Sequence, residues 1–289
     1  SMSNTIDSVF EFNGRPPVVQ ISDIHGYLED AQSALLTVGD TDKHPPIVTV
    51  DDAGTIHWAD NDYVLVINGD VIDRGPENEA ALEMVWRLIE EAPAGRVQYH
   101  IGNHEMPIFV PMVLNWPNTY SSKMAKTQRK SFLNRVIEGD VTAAFNGYTY
   151  VYSHAGSNEP FDPEEVNARL RDAAERLLEK HGEPEEASIH EEIVEQYDRI
   201  FELGEGGGRG PSGGLCWMDF KHMEASAPPQ VVGHSMHAKA SRKGDVICGN
   251  VIRHNERSDG GEGVLMETPD EVKFFQRTPA GSVHVEVIE

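Results

Sequence analysis

Side chains of the types that bind metal ions follow five apolar runs of the sequence, at the point where each run ends. The runs and the residues after them are VVQIS before Asp23-Ile24-His25-Gly26, YVLVIN before Gly69-Asp70-Val71-Ile72-Asp73-Arg74-Gly75, VQYHI before Gly102-Asn103-His104-Glu105, TYVYS before His154-Ala155-Gly156, and QVVG before His234-Ser235-Met236-His237. Short apolar runs of this kind predict buried strands. Because open α/β sheets bind ligands beyond the carboxyl ends of their strands, we expect the five loops to meet at one site.

The residue types in these loops predict a site for two divalent metal ions. Carboxylate oxygen together with imidazole nitrogen suits manganese, iron or zinc, and two ions in one such site lie about 3.5–4 Å apart. Taken singly, the Asp-x-His-Gly loop is also compatible with an ordinary turn, and Gly-Asn-His-Glu with a helix entry. No turn requires the two Asp and the Arg of Gly-Asp-x-x-Asp-Arg-Gly, so the five loops in order favour the metal site.

The elements between these loops alternate strand and helix patterns. This alternation predicts the α/β class, as a sandwich with its strands at the centre, in a single domain of residues 1–289. Two β-like runs among the turn residues of 40–62 predict an inserted hairpin. The glycine-rich stretch Gly204–Gly214 predicts a loop, and four further strand patterns follow it towards the C-terminus.

Apolar spacing and capping residues predict five helices. The first three are expected near Leu28–Val38, from an Asn78 cap to Glu91, and over Ser121–Glu138. The fourth begins at Asp162-Pro163, and the fifth at a capping box of Ser188 and Glu191. The last two interrupt a strand-rich pattern, so we expect a helical cap insertion at 160–204.

Composition and charge exclude several classes of protein. The chain carries 24 basic and 48 acidic side chains, a net charge of −24, which argues against a nucleic-acid binder because no basic stripe would neutralise phosphates. No apolar run reaches the roughly 18–20 residues that a membrane span needs. With no signal-peptide pattern at the N-terminus, a cytoplasmic location is expected. Cys216 and Cys248 are too far apart for a zinc knuckle and are expected to be buried apolar side chains.

The strong negative charge also raises two hypotheses. It would repel a phosphate ester, so local cations are needed, and bound metal ions would supply them. The simple explanation of the negative charge is solubility. The more specific hypothesis is that the protein works in a salt-rich cytoplasm, which screens many surface carboxylates.

The series of loops resembles the calcineurin-like metallophosphoesterases, and specifically their phosphoprotein phosphatase branch. The resemblance rests on the blocks SDIHG, GDVIDRG, GNHE and SHAG and extends over roughly residues 17–250. Shewanella-like phosphatases are the most similar group, since they share the hairpin between the first two blocks and a glycine-rich stretch before a Trp, here RGPSGGLCW. The resemblance implies a four-layer α-β-β-α sandwich with a dinuclear metal site at the carboxyl ends of the strands.

The resemblance also implies the roles of individual residues. Six residues would bind two divalent ions, for which Mn²⁺ is favoured over Fe or Zn: Asp23, His25, Asp70, Asn103, His154 and His234. The first two would bind one ion, Asp70 both ions, and the last three the other ion. Arg74 would grip the phosphate, and His104, held by Asp73, would donate a proton to the leaving oxygen while a metal-bridging hydroxide attacks phosphorus. Glu105 would orient the turn that carries Asn103 and His104.

Two positions depart from the family pattern. Related families end the fifth block as Gly-His-x-His, whereas this chain is one residue longer, so His237 is expected to be outside the ligand set, with water in its place. The second phosphate-binding Arg is expected shortly after Trp217, where Met218 and Asp219 stand instead. One hypothesis is that Arg209 in the glycine-rich loop takes the place of this Arg. The alternative is that Arg209 is an ordinary solvated loop residue.

These observations favour hydrolysis of phosphomonoesters, with phosphoserine or phosphothreonine in proteins as substrate and small phosphoesters also within reach. The rival activity is hydrolysis of diadenosine polyphosphates or other nucleotides, because those enzymes share the same blocks. A remoter alternative is a non-catalytic binding module on the same fold. Degenerate members of that kind should lack a metal ligand, His104 or Arg74, and all of these are present here. The blocks carry no information on the oligomeric state.

Overall fold

The computed structural model describes residues 5–206, 210–252 and 261–288 and contains two central sheets. The first sheet has seven strands: β1 (Val18–Ile21), β4 (Val64–Ile67), β5 (Val97–His100), β6 (Val141–Thr142), β12 (Gly263–Glu267), β13 (Val272–Arg277) and β14 (Val283–Val287). Their order is β14-β13-β12-β1-β4-β5-β6. The four from β1 to β6 in this order are parallel, and β12 to β14 join them as an antiparallel edge.

The second sheet has five strands: β7 (Ala144–Asn146), β8 (Val151–Ser153), β9 (Gln230–Val232), β10 (Ser241–Lys243) and β11 (Val246–Cys248). They are ordered β10-β11-β9-β8-β7, with β8, β9 and β11 parallel. A separate antiparallel hairpin, β2 (Val48–Val50) and β3 (Ile56–Trp58), lies within the predicted 40–62 segment. His57 holds it to the following helix, since its ring nitrogens lie 2.8 Å from Asp51 Oδ2 and 2.7 Å from Glu91 Oε2.

Seven α-helices are present in the described residues: α1 (Leu28–Leu36), α2 (Asn78–Glu91), α3 (Met106–Phe109), α4 (Lys126–Ile137), α5 (Pro163–Glu179), α6 (Glu186–Gln196) and α7 (Asp198–Phe201). Short 3₁₀ helices lie at Val9–Glu11, Ser121–Lys123 and Phe220–His222. In the described residues, no helix is both long and apolar enough to cross a bilayer.

Alternating side chains of the central strands pack on two different cores. In β4, Leu65 and Ile67 pack with the helices, whereas Val64 and Val66 face the second sheet. Full burial of such a side chain stabilises the fold by roughly 1.5–3 kcal/mol, which explains why β4 is apolar throughout. The far face of the second sheet is covered by a third cluster, in which Met218 and Met223 pack on Val232. The α/β class of the prediction is thereby confirmed.

The helices predicted as a cap at 160–204 share the main core. Leu170 of α5, Ile193 of α6 and Phe201 of α7 are buried together with the helix-side residues of the first sheet. This shared core supports the proposal of a single domain.

Two predicted helix caps are wrong. Asn78 is the first residue of α2, after Glu77, and its side chain serves the preceding loop: Oδ1 accepts from the Asp73 N–H at 2.7 Å, and Nδ2 donates to the Gly75 carbonyl. Helix α6 begins two residues before Ser188, whose hydroxyl donates to the Glu185 carbonyl and caps no N–H group.

Candidate metal and phosphate site

The five loops meet because the parallel strands of both sheets end at one edge. β1, β4 and β5 are neighbours in the first sheet, and β8 and β9 are neighbours in the second. Asn68, at the end of β4, joins the sheets there, since its Nδ2 donates to the carbonyls of Ser153 (2.8 Å) and Val231 (3.3 Å). The side chains expected to bind metal therefore lie around one crevice.

The backbone of these loops is locally strained. Seven described non-glycine residues have a positive φ, and six belong to the blocks: Asp23, His25, Asp70, Asp73, Arg74 and His234. Such conformations cost about 1–3 kcal/mol each and persist only where the surroundings enforce them. Here the first two loops are joined by backbone hydrogen bonds from Asp23 to Gly69 and from His25 to Asp70.

Glu105 fixes the second and third loops together. Its carboxylate is fully buried and accepts hydrogen bonds from the N–H groups of Asp70 (2.8 Å), Val71 (3.0 Å) and Gly102 (2.7 Å), and from the Tyr99 hydroxyl (3.0 Å). Burial, together with nearby Asp70, raises the pKa of Glu105 to about 7. The position agrees with the predicted role of orienting the third block.

Asp70 lies at the centre of the ligand groups. Its Oδ2 is 3.5 Å from His25 Nε2 and 3.2 Å from His154 Nε2. Asp23 Oδ2 is 3.5 Å from the same nitrogen of His25. On the other side, Nδ1 of His234 and Oδ1 of Asn103 are 3.3 Å apart. Two groups of candidate ligand atoms, each within 4.8 Å of one another, share Asp70: one with His25 and His104, the other with His154 and His234.

The residues present fit a pair of divalent cations. His154 Nδ1 lies 2.7 Å from the Asn68 carbonyl, which can only accept, so this nitrogen carries the proton and leaves a lone pair on Nε2. That Nε2 is buried and has no hydrogen-bond partner, and it faces the Asp70 carboxylate. Two opposed acceptors are favourable only with a metal cation or a proton between them, because a buried unsatisfied polar atom otherwise costs about 1–3 kcal/mol.

Without a bound cation, a proton on His154 compensates for the negative charge of the Asp70 and Asp23 carboxylates. Burial opposes a charge on His154, but Asp70 and Asp23 outweigh it and raise the pKa of His154 to about 10. The pKa of Asp70, despite its burial, is held well below the usual range by His154 and His104. The pocket is thus strongly negative until a cation or a proton enters it.

His104 and Arg74 lie side by side next to the candidate ligand groups. His104 Nδ1 is 2.8 Å from Asp73 Oδ2, and its Nε2 is 3.4 Å from the Arg74 guanidinium. A guanidinium beside Nε2 favours an anionic oxygen there and disfavours a further cation, which argues for a proton donor over a ligand. Burial lowers the pKa of His104, against the opposite influence of Asp70 and Asp73.

Three supporting residues were not found from the sequence. Asp219 Oδ1 lies 2.8 Å from His234 Nε2, Ser121 donates to Asp73, and the indole of Trp116 stacks on the His104 ring. All three lie outside the blocks, at positions set by tertiary packing. The one available signal was Asp219 itself, two residues after Trp217, where an Arg was expected.

The two departures from the family pattern differ in outcome. In the described part of the chain, His237 belongs to neither group of candidate ligands, and its ring packs edge-on against Phe220 at 5.3 Å. Arg209 lies outside the described residues. Cys216 and Cys248 are free and buried, as predicted.

Comparison with known proteins agrees with this geometry. The model of the calcineurin-like phosphoesterase family matches residues 16–265. The fold is similar to the cold-active protein-tyrosine phosphatase of a psychrophilic Shewanella species, with a TM-score of 0.61 at 18% identity over 99% of this chain and 84% of that one. A protein serine/threonine phosphatase from Saccharomyces cerevisiae has a TM-score of 0.48 at 14% identity, over 100% of this chain and 84% of that one. The family match covers most of the sequence, and the chain therefore belongs to the calcineurin-like phosphoesterase family.

Proposed function

We propose that the protein hydrolyses phosphate monoesters in a metal-dependent reaction, with phosphoserine or phosphothreonine in proteins as the favoured substrate. The observation that carries the proposal is the position of Arg74 and His104. An anion-binding guanidinium and a carboxylate-supported imidazole lie side by side, 3.4 Å apart, next to the candidate ligand groups. Phosphoryl binding and leaving-group protonation need this pair of functions.

Six residues would hold two divalent ions, with Mn²⁺ favoured by the mixture of carboxylate, amide and imidazole donors: Asp23, His25, Asp70, Asn103, His154 and His234. When bound, the ions would activate a water molecule as nucleophile and neutralise charge on the phosphoryl group.

The protein's own groups complete the reaction. Arg74 binds two phosphoryl oxygens through its planar fork and orients the ester. His104 donates the proton on Nε2 to the leaving oxygen, while Asp73 keeps Nδ1 protonated and fixes the ring. Because an alkoxide leaves poorly without a proton, a firmly held acid favours the alkyl esters of serine and threonine.

Relative rates on three substrates test the proposal. We expect kcat/KM with Mn²⁺ to be highest for a phosphoserine or phosphothreonine peptide and lower for the same peptide with phosphotyrosine. Diadenosine tetraphosphate should be the poorest of the three. A preference for diadenosine tetraphosphate would contradict the proposal and favour the nucleotide hydrolase.

A further inference from the structure

The segment from Trp116 to Ser122, here named the 116–122 loop, contacts both members of the His104–Asp73 pair. The Trp116 indole stacks on the His104 imidazole, with ring centroids 4.6 Å apart and an angle of 29° between the planes. Ser121 donates to Asp73 twice, from its N–H to Oδ1 at 2.9 Å and from its hydroxyl to Oδ2 at 2.7 Å. One short loop thus holds the imidazole and the carboxylate that supports it.

The loop is itself held in one conformation. Trp116 and Thr119 form a turn with proline at its second position, in which the Thr119 N–H and hydroxyl donate to the Trp116 carbonyl at 3.0 and 2.9 Å. The Trp116 N–H donates to the Ser122 hydroxyl at 3.0 Å. The indole also meets the Trp217 ring edge-to-face, with centroids 5.6 Å apart.

We propose that the 116–122 loop positions the general acid, with Trp116 setting the plane of the His104 ring and Ser121 fixing Asp73. The proposal rests on the proposed function for the identity of the acid. The bond to Asp73 constrains only one atom of the imidazole, so the ring can still turn about that contact. Stacking against Trp116 removes this freedom and directs Nε2 towards the leaving oxygen. The orientation of the imidazole matters because small displacements of a reacting group reduce the rate by large factors.

A series of leaving groups separates positioning from packing. Nitrophenolate leaves readily without a proton, whereas the departure of phenolate depends much more strongly on protonation. Trp116→Leu should therefore lower kcat roughly tenfold or more for phenyl phosphate and less than about threefold for 4-nitrophenyl phosphate, within the 10²–10⁴-fold that general acids contribute. KM should change by less than about twofold, because Arg74 is untouched. Trp116→Phe keeps a stacking ring and should recover most of the loss, and Ser121→Ala should show a smaller loss in the same direction.

The same substitution in a His104→Ala background gives the decisive comparison. If Trp116 acts through His104, Trp116→Leu should have no further leaving-group-dependent effect once the imidazole is absent. An effect that persists there, or one confined to KM, would overturn the proposal and identify Trp116 as a wall for the leaving group. Equal losses on both substrates would overturn it in favour of a packing role. Met112→Ala is the matched control, since this side chain is 69% exposed in the same region, and we expect wild-type kinetics.

A spectroscopic readout needs no catalysis. In the wild type, the carbon-bound ring protons of His104 should be shifted upfield by the indole ring current, with the resonances assigned through His104→Gln. The shift should disappear in Trp116→Leu and remain in part in Trp116→Phe, and an unshifted wild-type signal would refute the stack. If the wild type hydrolyses neither phosphate while the shift is present, the proposed function fails and the positioning geometry stands.

Discussion

At the residue scale, His234 divides its ring nitrogens between the candidate metal site and a supporting carboxylate. Nδ1 lies 3.3 Å from Asn103 Oδ1, and Nε2 lies 2.8 Å from Asp219 Oδ1. The hydrogen bond with His234 lowers the pKa of Asp219, so the carboxylate is ionised and Nε2 is the protonated nitrogen. Nδ1 is thereby left with a lone pair for the proposed metal ion, and Asp219 holds the ring in the required orientation.

Asp219→Asn should weaken Mn²⁺ binding by about 10–100-fold, because the amide orients the ring less firmly and adds no negative charge. Calorimetric titration of metal-stripped protein would measure the change. The control is Asp245→Asn, which removes the same charge from an exposed carboxylate near Arg242 and should leave affinity unchanged. Equal affinities of Asp219→Asn and wild type would show that Asp219 does not support the ligand.

Proton release on metal binding follows from the pKa of His154, which Asp70 and Asp23, despite burial, raise to about 10. At pH 8 the ring is protonated, and a metal ion must displace that proton. Mn²⁺ binding should therefore release about one proton or more at pH 8. Affinity should rise with pH and level off near 10. Titration in buffers of different ionisation enthalpy counts the protons, and no release at pH 8 would contradict the assignment of His154.

At the element scale, the strand ends are brought together closely enough that glycine is required between them. A Cβ atom on Gly102 would lie 2.3 Å from Asp70 Oδ1 and 2.8 Å from His154 Nε2. Gly102 thus permits the third loop to pass directly beside the ligand groups.

Gly102→Ala should displace both side chains and reduce Mn²⁺ affinity and hydrolysis at least tenfold, as misplacement of active groups does. Gly182→Ala serves as control, since its Cβ would meet nothing within 4 Å, although its φ of +76° strains any side chain. The control should lose about 1–2 kcal/mol of stability and keep its metal affinity. Unchanged metal binding in Gly102→Ala would contradict the placement of the crevice.

The sequence predicts these elements best where burial alone determines them. β1, β4 and β5 are buried along their whole length because both their faces are covered, and the polar residues after them mark the crevice. The sequence misplaced two helix starts: the Asn78 side chain bonds to the preceding second loop instead of capping its helix, and Ser188 lies inside its helix. Ser121 and Trp116 reach the site only through folding, so no spacing in the sequence could indicate them, and Asp219 is marked only by standing near the position where an Arg was expected.

At the scale of the whole molecule, the net charge of −24 leaves a surplus of carboxylates that repel one another. Salt shortens the range of this repulsion from about 10 Å at 0.1 M to about 3 Å at 1 M. Under the hypothesis of a salt-rich cytoplasm, the melting temperature should rise by several degrees between dilute buffer and molar KCl. Thermal unfolding at several KCl concentrations, with sucrose as a non-ionic comparison, tests this, and equal stability in all would reject the hypothesis.

The central claim is that the strand ends form a metal-dependent phosphatase site with His104 as its acid. The most direct test is the steady-state hydrolysis of phenyl phosphate, whose leaving group depends on the acid, by metal-stripped protein, with and without added Mn²⁺, in wild type and His104→Ala. We expect activity to return with Mn²⁺ and to fall about 10²-fold or more in the variant. No activity with any divalent metal, in low or high salt, would contradict the account.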